Sequence, residues 1–587
     1  MQQHLPEATV LMLLFKAGPP ERNLHLQGHN HNLLTLHLQG QMAADHVVVV
    51  HQEAAEAAAA VAQDQPELAE GSLNQRSTYM KRLLFSLAAI VAATGTTYAQ
   101  SYAPDALRFS QTNFGSTARF KGMAGAQIGV GGDMGSITSN PAGLGLFTKS
   151  EFSLTPEFNS MTGSANFLNA NTKSSKERLN LNNIGVVLYS PTYKAQGQST
   201  EKGLISSVFG FGYARNNDFN ADFSYAGTNP TNSIADAYAY EANRTGQDPT
   251  QLRTGSLARM AYDGYLIGYG PIDPDIPNGA QNYFPETDVN NTQRKSEIRS
   301  GSTSELTAAG AINISNQIYL GASVGLVNIR YLNDSEFNEG GFNVTENSNY
   351  SLSLRQSQET TGSGINGRLG VIFRPVSNFR VGATFQTPTW LLIEDNSSYT
   401  LDTRIATGTA AGNYVSDPEY SVFRYKLRTP LKGSLGASYV VAGKALLTAD
   451  VDYTDYSSIQ FSNDVNSSDP DRIREENANI KANYKEAFNY RLGVEYKLDE
   501  AFSLRGGYGL NGSAIKGDDS GYFDTKIYSG GLGYRVNNYY YDVAYQRFQT
   551  NTELAPYELG TAENPLEPVA SIKTARNNVF LTFGVRF

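Results

Sequence analysis

The sequence predicts an all-β protein, a fourteen-stranded antiparallel transmembrane β-barrel. Three observations carry this: the alternation of the last residues, the number of strand-like runs, and the parity of the connections between runs. Counting back from Phe587, every second residue is apolar: Val585, Phe583, Leu581, Val579. Arg586, Gly584, Thr582 and Asn578 fall between them. Period two places one apolar and one polar face on a strand. A sandwich edge strand alternates too, but a strand that stops on an aromatic is the form taken by the closing strand of an outer-membrane barrel.

Composition agrees. The 587 residues include 35 Tyr, 28 Phe and 55 Gly with a single Trp, which suits strands, aromatic girdles and bends. Only 17% are charged, and no apolar run approaches the ~20 residues of a spanning helix. A barrel escapes that test because half of each strand faces away from lipid. Without Cys there is no disulfide, thiolate metal site or Cys nucleophile. A net charge of −10 argues against nucleic acid.

Met80-Lys81-Arg82, the apolar run Leu83–Ala93 and Thr97-Tyr98-Ala99 form a secretory leader over 80–99, with maturation expected near Gln100. All 7 His lie at or before His51, and Ala54–Ala62 is alanine-rich without a strand pattern. Residues 1–79 therefore read as a mis-assigned start or a disordered extension.

The barrel is expected over 151–587. Its runs are 151–167, 182–190, 206–225, 295–314, 317–332, 350–374, 379–400, 419–441, 445–461, 480–497, 501–515, 523–535, 539–552 and 572–587. Tyr490, Leu492, Val494 and Tyr496 oppose Arg491, Gly493 and Glu495, and Leu447, Ala449, Val451 and Tyr453 oppose Thr448, Asp450 and Asp452. Tight turns at Ser315-Asn316, 375–378, 442–444, Asp499-Glu500 and 536–538 follow even-numbered runs. Longer connections, roughly 226–294, 333–349, 401–418, 462–479 and 553–571, follow odd ones. Short periplasmic turns and long outer loops have this parity, and a soluble sandwich has no reason to obey it. The outer loop 226–294 carries two helix patterns, Ser233–Ala242 and Ser256–Tyr265, whose apolar residues would form a small loop core.

Residues 100–150 do not alternate. They contain Arg119-Phe120-Lys121-Gly122-Met123, Gly131-Gly132-Asp133 and Asn140-Pro141-Ala142-Gly143. A phosphate loop would need Gly-Lys-Ser/Thr, which is missing. With Gln386-Thr387-Pro388-Thr389-Trp390 and Asn489–Tyr496, these stretches resemble the FadL-type outer-membrane transporters of long-chain fatty acids and other hydrophobic compounds. The resemblance covers about residues 100–587. It implies an N-terminal hatch with an Asn-Pro-Ala motif inside the barrel, here with Arg119, Phe120, Gly122, Met123, Asn140, Pro141, Ala142 and Gly143 as hatch and gating residues. A lumen of fourteen strands is wider than side chains fill, so a plug is physically needed.

A mature chain without His lacks the base that outer-membrane hydrolases use, so no enzyme is expected. Asp450, Asp452, Arg491, Glu495 and Arg505 read as a lumen charge ladder joining wall to hatch rather than as paired catalytic carboxylates. Arg119 or a lumen Arg is the alternative seat for a substrate carboxylate. Asp464, Asp469, Asp471, Glu475 and Glu476 match no calcium-loop spacing and read as solvated or lipopolysaccharide-facing charge. No cofactor or metal is expected. The expected function is passive uptake of hydrophobic molecules across the outer membrane by a monomer, long-chain fatty acids foremost. Its partners would be the small-molecule ligand, outer-membrane lipid and lipopolysaccharide, and barrel-assembly machinery reading Phe587. Rival readings keep the fold: a barrel serving as a protein partner in type IX secretion, or a haem or aromatic-hydrocarbon receptor.

Overall fold

The computed structural model describes residues 101–587 apart from 114, 198, 272–279, 465–468 and 560–566. The expected leader and the 1–79 extension lie outside the described residues.

Fourteen antiparallel strands close into a barrel. They are β1 (Glu151–Phe167), β2 (Ala170–Pro191), β3 (Leu204–Asp218, resuming Ala221–Asn229), β4 (Asn291–Ile314), β5 (Ile318–Asn343), β6 (Ser348–Val376), β7 (Phe379–Gln386 and Trp390–Ile405), β8 (Glu419–Arg428 and Lys432–Val441), β9 (Ala445–Asp455 and Gln460–Asn463), β10 (Glu486–Lys497), β11 (Phe502–Asn511), β12 (Thr525–Val536), β13 (Tyr539–Leu554) and β14 (Ala570–Arg586). Each pairs with the next, and β14 returns to β1, Arg586 opposite Glu151 and Ser571 opposite Asn166. Closure leaves the terminal strand no free edge.

Alternation decides which face meets lipid. Tyr490, Leu492, Val494 and Tyr496 point outward, while Arg491 and Glu495 between them are buried in the lumen. Exposed rings form two girdles. Tyr496, Phe502, Tyr534, Tyr541 and Phe583 sit at the tight-turn end, and Tyr453, Phe488, Tyr508 and Tyr528 sit toward the other. The turn at Ser315 and Asn316 has positive φ at both residues (55° and 56°), a left-handed pair that closes a hairpin in two residues.

Two expectations about connections are corrected. The stretch 333–349 is mostly strand: β5 and β6 run on to a turn at 344–347, with Phe337, Glu339, Tyr350 and Leu352 buried against the long loop and the outward residues mostly polar, so the apolar alternation fades there. Conversely, 192–203 is a long connection on the tight-turn side. The strand expected from 480 begins at Glu486, because Pro470–Asn483 is helical, with Asp469 as N-cap accepting from Arg472 N–H at 3.1 Å.

Three neighbouring strands break together. β7 breaks at 387–389 around Pro388, β8 at 429–431 around Pro430, and β9 at 456–459. In β3 the break at 219–220 turns the outer piece inward, where Phe223 and Tyr225 pack with Met161, Phe167 and Ile572. The long loop holds helices α3 (Ile234–Thr245) and α4 (Leu257–Asp263), capped by Ser233 and Ser256. They form a loop core with Tyr283, Phe337, Leu352 and Leu401. Glu339, buried without a cation, accepts from Ser233 Oγ, Ile234 N–H, Gln293 and Tyr350 and fixes α3 to the wall.

Candidate functional site: the plug and the lumen above it

Residues 101–150 fill the lumen with α1 (Ala103–Ser110), α2 (Ala118–Lys121) and two 3-10 turns, Met134–Ile137 and Pro141–Leu146. The second turn is the Asn-Pro-Ala segment. Asn140 caps it, accepting from Ala142 N–H at 3.1 Å, and donates Nδ2–H to the Ile128 carbonyl at 2.8 Å and the Val371 carbonyl at 3.4 Å. Pro141 supplies the fixed φ of the first position. The turn presses directly on the wall. A Cβ at Gly370 would lie 2.0 Å from Asn140 Oδ1, and one at Gly321 2.3 Å from the Pro141 carbonyl carbon. Those inward glycines are part of the site that sequence reasoning missed, and a glycine at an inward strand position was the available signal.

Charge holds the opposite side. Arg119 makes a two-bond fork to Glu495, Nε to Oε2 at 2.8 Å and Nη2 to Oε1 at 3.0 Å. Arg505 donates to the same Glu495 at 2.7 Å and to Asp542 at 2.6 Å. Asp450 accepts the Gln127 and Ile128 N–H groups at 2.6 and 2.9 Å. Asp452 pairs with Arg491 and, at 3.1 Å, with Lys432. The five ladder residues are thus brought together along β9, β10 and β11. Asp542 and Lys432 complete their pairs, and a second buried pair, Arg368–Glu305, stands apart on β4 and β6. Arg119, Arg491 and Arg505 all have carboxylate partners. Further, Thr582 Oγ1 accepts from Ala118 N–H (2.8 Å), Ser529 Oγ accepts from Ala124 N–H (2.8 Å), and Ser438 Oγ donates to the Gly129 carbonyl (2.8 Å). Phe120 and Met123 pack with Val130 and Leu446, the Phe120 ring and the Met123 thioether fully buried. Gly122 and Gly143 lie within these close-packed turns.

Above this riveted core lies an apolar chamber. Val327, Ile329, Leu391, Ile393, Leu427 and Phe461 line it, and α1 fills it. Tyr102 packs on Phe423 (5.0 Å between ring centres) and Tyr425 (5.9 Å), and Phe109 on Phe219 (5.8 Å) and Tyr331 (6.1 Å). The polar ties of α1 are few. Glu476 accepts from Tyr102 N–H (2.8 Å), Tyr102 OH reaches Asp395 (3.2 Å), and Gln358 donates to Asp105 (2.8 Å). Glu476 lies on α5 (Pro470–Asn483), which crosses the chamber's outer end. It is buried rather than solvated, contrary to the reading of the acidic loop. Arg472 of α5 lies over the Tyr102 and Phe423 rings at 4.5 and 4.4 Å.

A vestibule of about 920 Å³ opens above α1. Tyr240, Tyr399 and Leu354 share its walls with Arg244, Arg253 and Glu241, and Arg472 and Glu476 stand at its floor. The path from outside therefore runs from a mixed polar mouth to an apolar chamber, then to the plug. Phe587, exposed at the tight-turn rim, donates its N–H to the Ser150 carbonyl at 2.9 Å.

The structure is similar to that of the toluene transporter TodX of Pseudomonas putida (TM-score 0.46, 14% identity, 81% of this chain and 99% of that one). It is also similar to a Pseudomonas aeruginosa FadL homologue (TM-score 0.45, 13% identity, 80% and 98%) and to the toluene transporter TbuX of Ralstonia pickettii (TM-score 0.41, 14% identity, 81% and 98%). No curated protein matches the sequence. One family's sequence model does, over residues 279–574, half of the chain: the chain belongs to the outer membrane protein transport protein family (OMPP1/FadL/TodX).

Proposed function

We propose that the barrel passes hydrophobic molecules inward across the outer membrane without an energy source, long-chain fatty acids foremost. The apolar chamber occupied by α1 carries this reading. Its rings and aliphatic walls cannot be left wet cheaply, at roughly 25 cal/mol per Å² of apolar surface, so whatever displaces α1 must be comparably apolar. A polar solute gains nothing by the exchange. The ligand collects in the vestibule, replaces Ala103, Ala106 and Phe109 against the chamber wall, and lies with its polar end toward Arg472. It then leaves past the plug.

Labelled palmitate tests this with purified full-length protein and in cells lacking the gene. Ile393→Asp with Leu427→Asp places charge in the chamber and is expected to lower binding and uptake at least about tenfold. Removal of residues 101–110 is expected to tighten binding. Uptake unchanged by loss of the gene sinks the proposal. A monoaromatic hydrocarbon that binds where palmitate does not removes fatty acids and leaves hydrophobic passage.

A further inference from the structure

The outward face of β8 changes character at its break. Below it, Leu431, Leu435, Tyr439 and Val441 are exposed to lipid. Ten residues at ~3.3 Å each, tilted by ~40°, span roughly 25 Å, the height of an outer-membrane apolar band. Directly above, Arg428, Lys426 and Arg424 occupy three successive outward positions, all exposed. Trp390 stands opposite Arg428, Leu392 opposite Lys426, and Glu394 opposite Arg424. Glu394 bonds Arg424 at 2.8 Å. Lys426 and Arg428 have no ion-pair partner among the described residues, and they are the two nearest the band. The acids of this face, Glu359, Glu394 and Asp464, stand level with Arg424 or higher.

Beside the cations the wall carries a recess of about 430 Å³. Asn328, Thr361 and Ser363 offer it hydroxyl and amide groups, and Leu392 forms its lower side. Leu326, Ile365 and Trp390 continue the apolar surface immediately beneath. The apolar surface lies lowest, and the cations and the hydrogen-bonding groups stand side by side above it, Ser363 and Asn328 in register with Leu392 and Lys426. Both cations stand exposed in a chain of net charge −10.

We propose that this face binds a phosphorylated glycolipid of the outer leaflet. Its acyl chains would lie on Leu326, Ile365 and Trp390, its phosphate on Lys426 and Arg428, and its sugar in the recess. Arg428 presents a planar fork suited to two phosphate oxygens, and Lys426 a point charge. The order of groups excludes a simple phospholipid, which has no sugar to use Asn328, Thr361 and Ser363. The site is separate from the lumen and does not depend on what the barrel carries.

Native mass spectrometry of the full-length barrel in detergent, titrated with bis-phosphorylated lipid A, tests the proposal. Wild type should take up the lipid saturably. Lys426→Glu with Arg428→Glu should weaken it at least about tenfold. Lys173→Glu, which reverses an exposed lysine on β2, should leave it unchanged. Retention of the heat-modifiable band on SDS gels certifies that each variant is folded. Equal binding by wild type and the double variant overturns the proposal, as does an equal loss in Lys173→Glu. Fully dephosphorylated lipid A and phosphatidylglycerol should both bind more weakly. Parity of the first removes the phosphate, and parity of the second removes the glycolipid.

Discussion

Glu495 is where plug and wall converge, because it serves Arg119 from the plug and Arg505 from the neighbouring strand with one carboxylate. Glu495→Ala leaves two buried guanidiniums short of a partner. Breaking a buried pair in this way costs about 3–5 kcal/mol, so the midpoint of heat-induced unfolding should drop well below wild type. Glu495→Gln, which keeps an acceptor, should fall between them, and equal midpoints for all three would refute the arrangement. The inward placement of Asp450, Asp452, Arg491, Glu495 and Arg505 was legible because strand alternation assigns a face to every residue. Asp542 and Lys432 were not, nor was the Arg368–Glu305 pair. Arg505–Asp542 and Arg368–Glu305 each reach across an intervening strand, and Lys432 meets Asp452 diagonally across one hairpin, geometry that a single chain's pattern does not contain. Asn140 was legible as a turn residue. Its bond to the Val371 carbonyl was not, because the close approach depends on Gly370 and Gly321 across the lumen.

Among elements, α1 and the rest of the plug differ in how they are held. Residues 117–147 bond to eight strands around the wall, β6–β10 and β12–β14, so this core does not leave as a rigid body. α1 has apolar packing and a few polar ties. One of these ties runs through Glu476 of α5. Burial pushes the Glu476 carboxyl up from its usual range, while the Tyr102 and Ala103 N–H groups pull it back. With α1 docked the group holds its proton more readily than when uncovered. Docking therefore strengthens as pH falls through the raised range and weakens as pH rises out of it. A spin label at Ser101 should become more mobile as pH increases, and Glu476→Gln should flatten that dependence. Mobility that falls with rising pH would overturn the assignment. The helix carrying Glu476 escaped sequence reading because only Ile473 and Ile480 of its fourteen residues are buried aliphatics. One pair spaced by seven makes too thin a stripe to register against Arg, Glu and Asn. α3 and α4 were legible from their serine caps, since Ser233 and Ser256 precede apolar residues at helical spacing.

For the whole molecule, closure of β14 on β1 is the decisive event. Arg586 meets Glu151 at 2.8 Å, and the neighbouring Phe587 projects from the tight-turn rim. Removing Phe587 is expected to slow assembly in the outer membrane without changing ligand affinity of the fraction that folds, read by the heat-modifiable band after pulse labelling. Normal insertion of the shortened chain refutes this. The barrel itself was legible because lipid demands an apolar residue at every second position. Beyond the membrane that demand stops, which is why the upper part of β5 passed for a loop; it pairs with the upper part of β6. They are the tallest part of the wall. From Ser363, just above the band, to Asn349 at the tip is fourteen residues of strand, roughly 35 Å of height at ~40° tilt. β7 follows this hairpin almost to its tip, Ile405 opposite Tyr350, so the three strands form one tall blade of wall through the inner sugars of the cell surface. Lower on the hairpin Ser335, Leu354 and Gln356 line the vestibule, so its tip at 344–347 is the place to insert an epitope tag while leaving the transport path untouched.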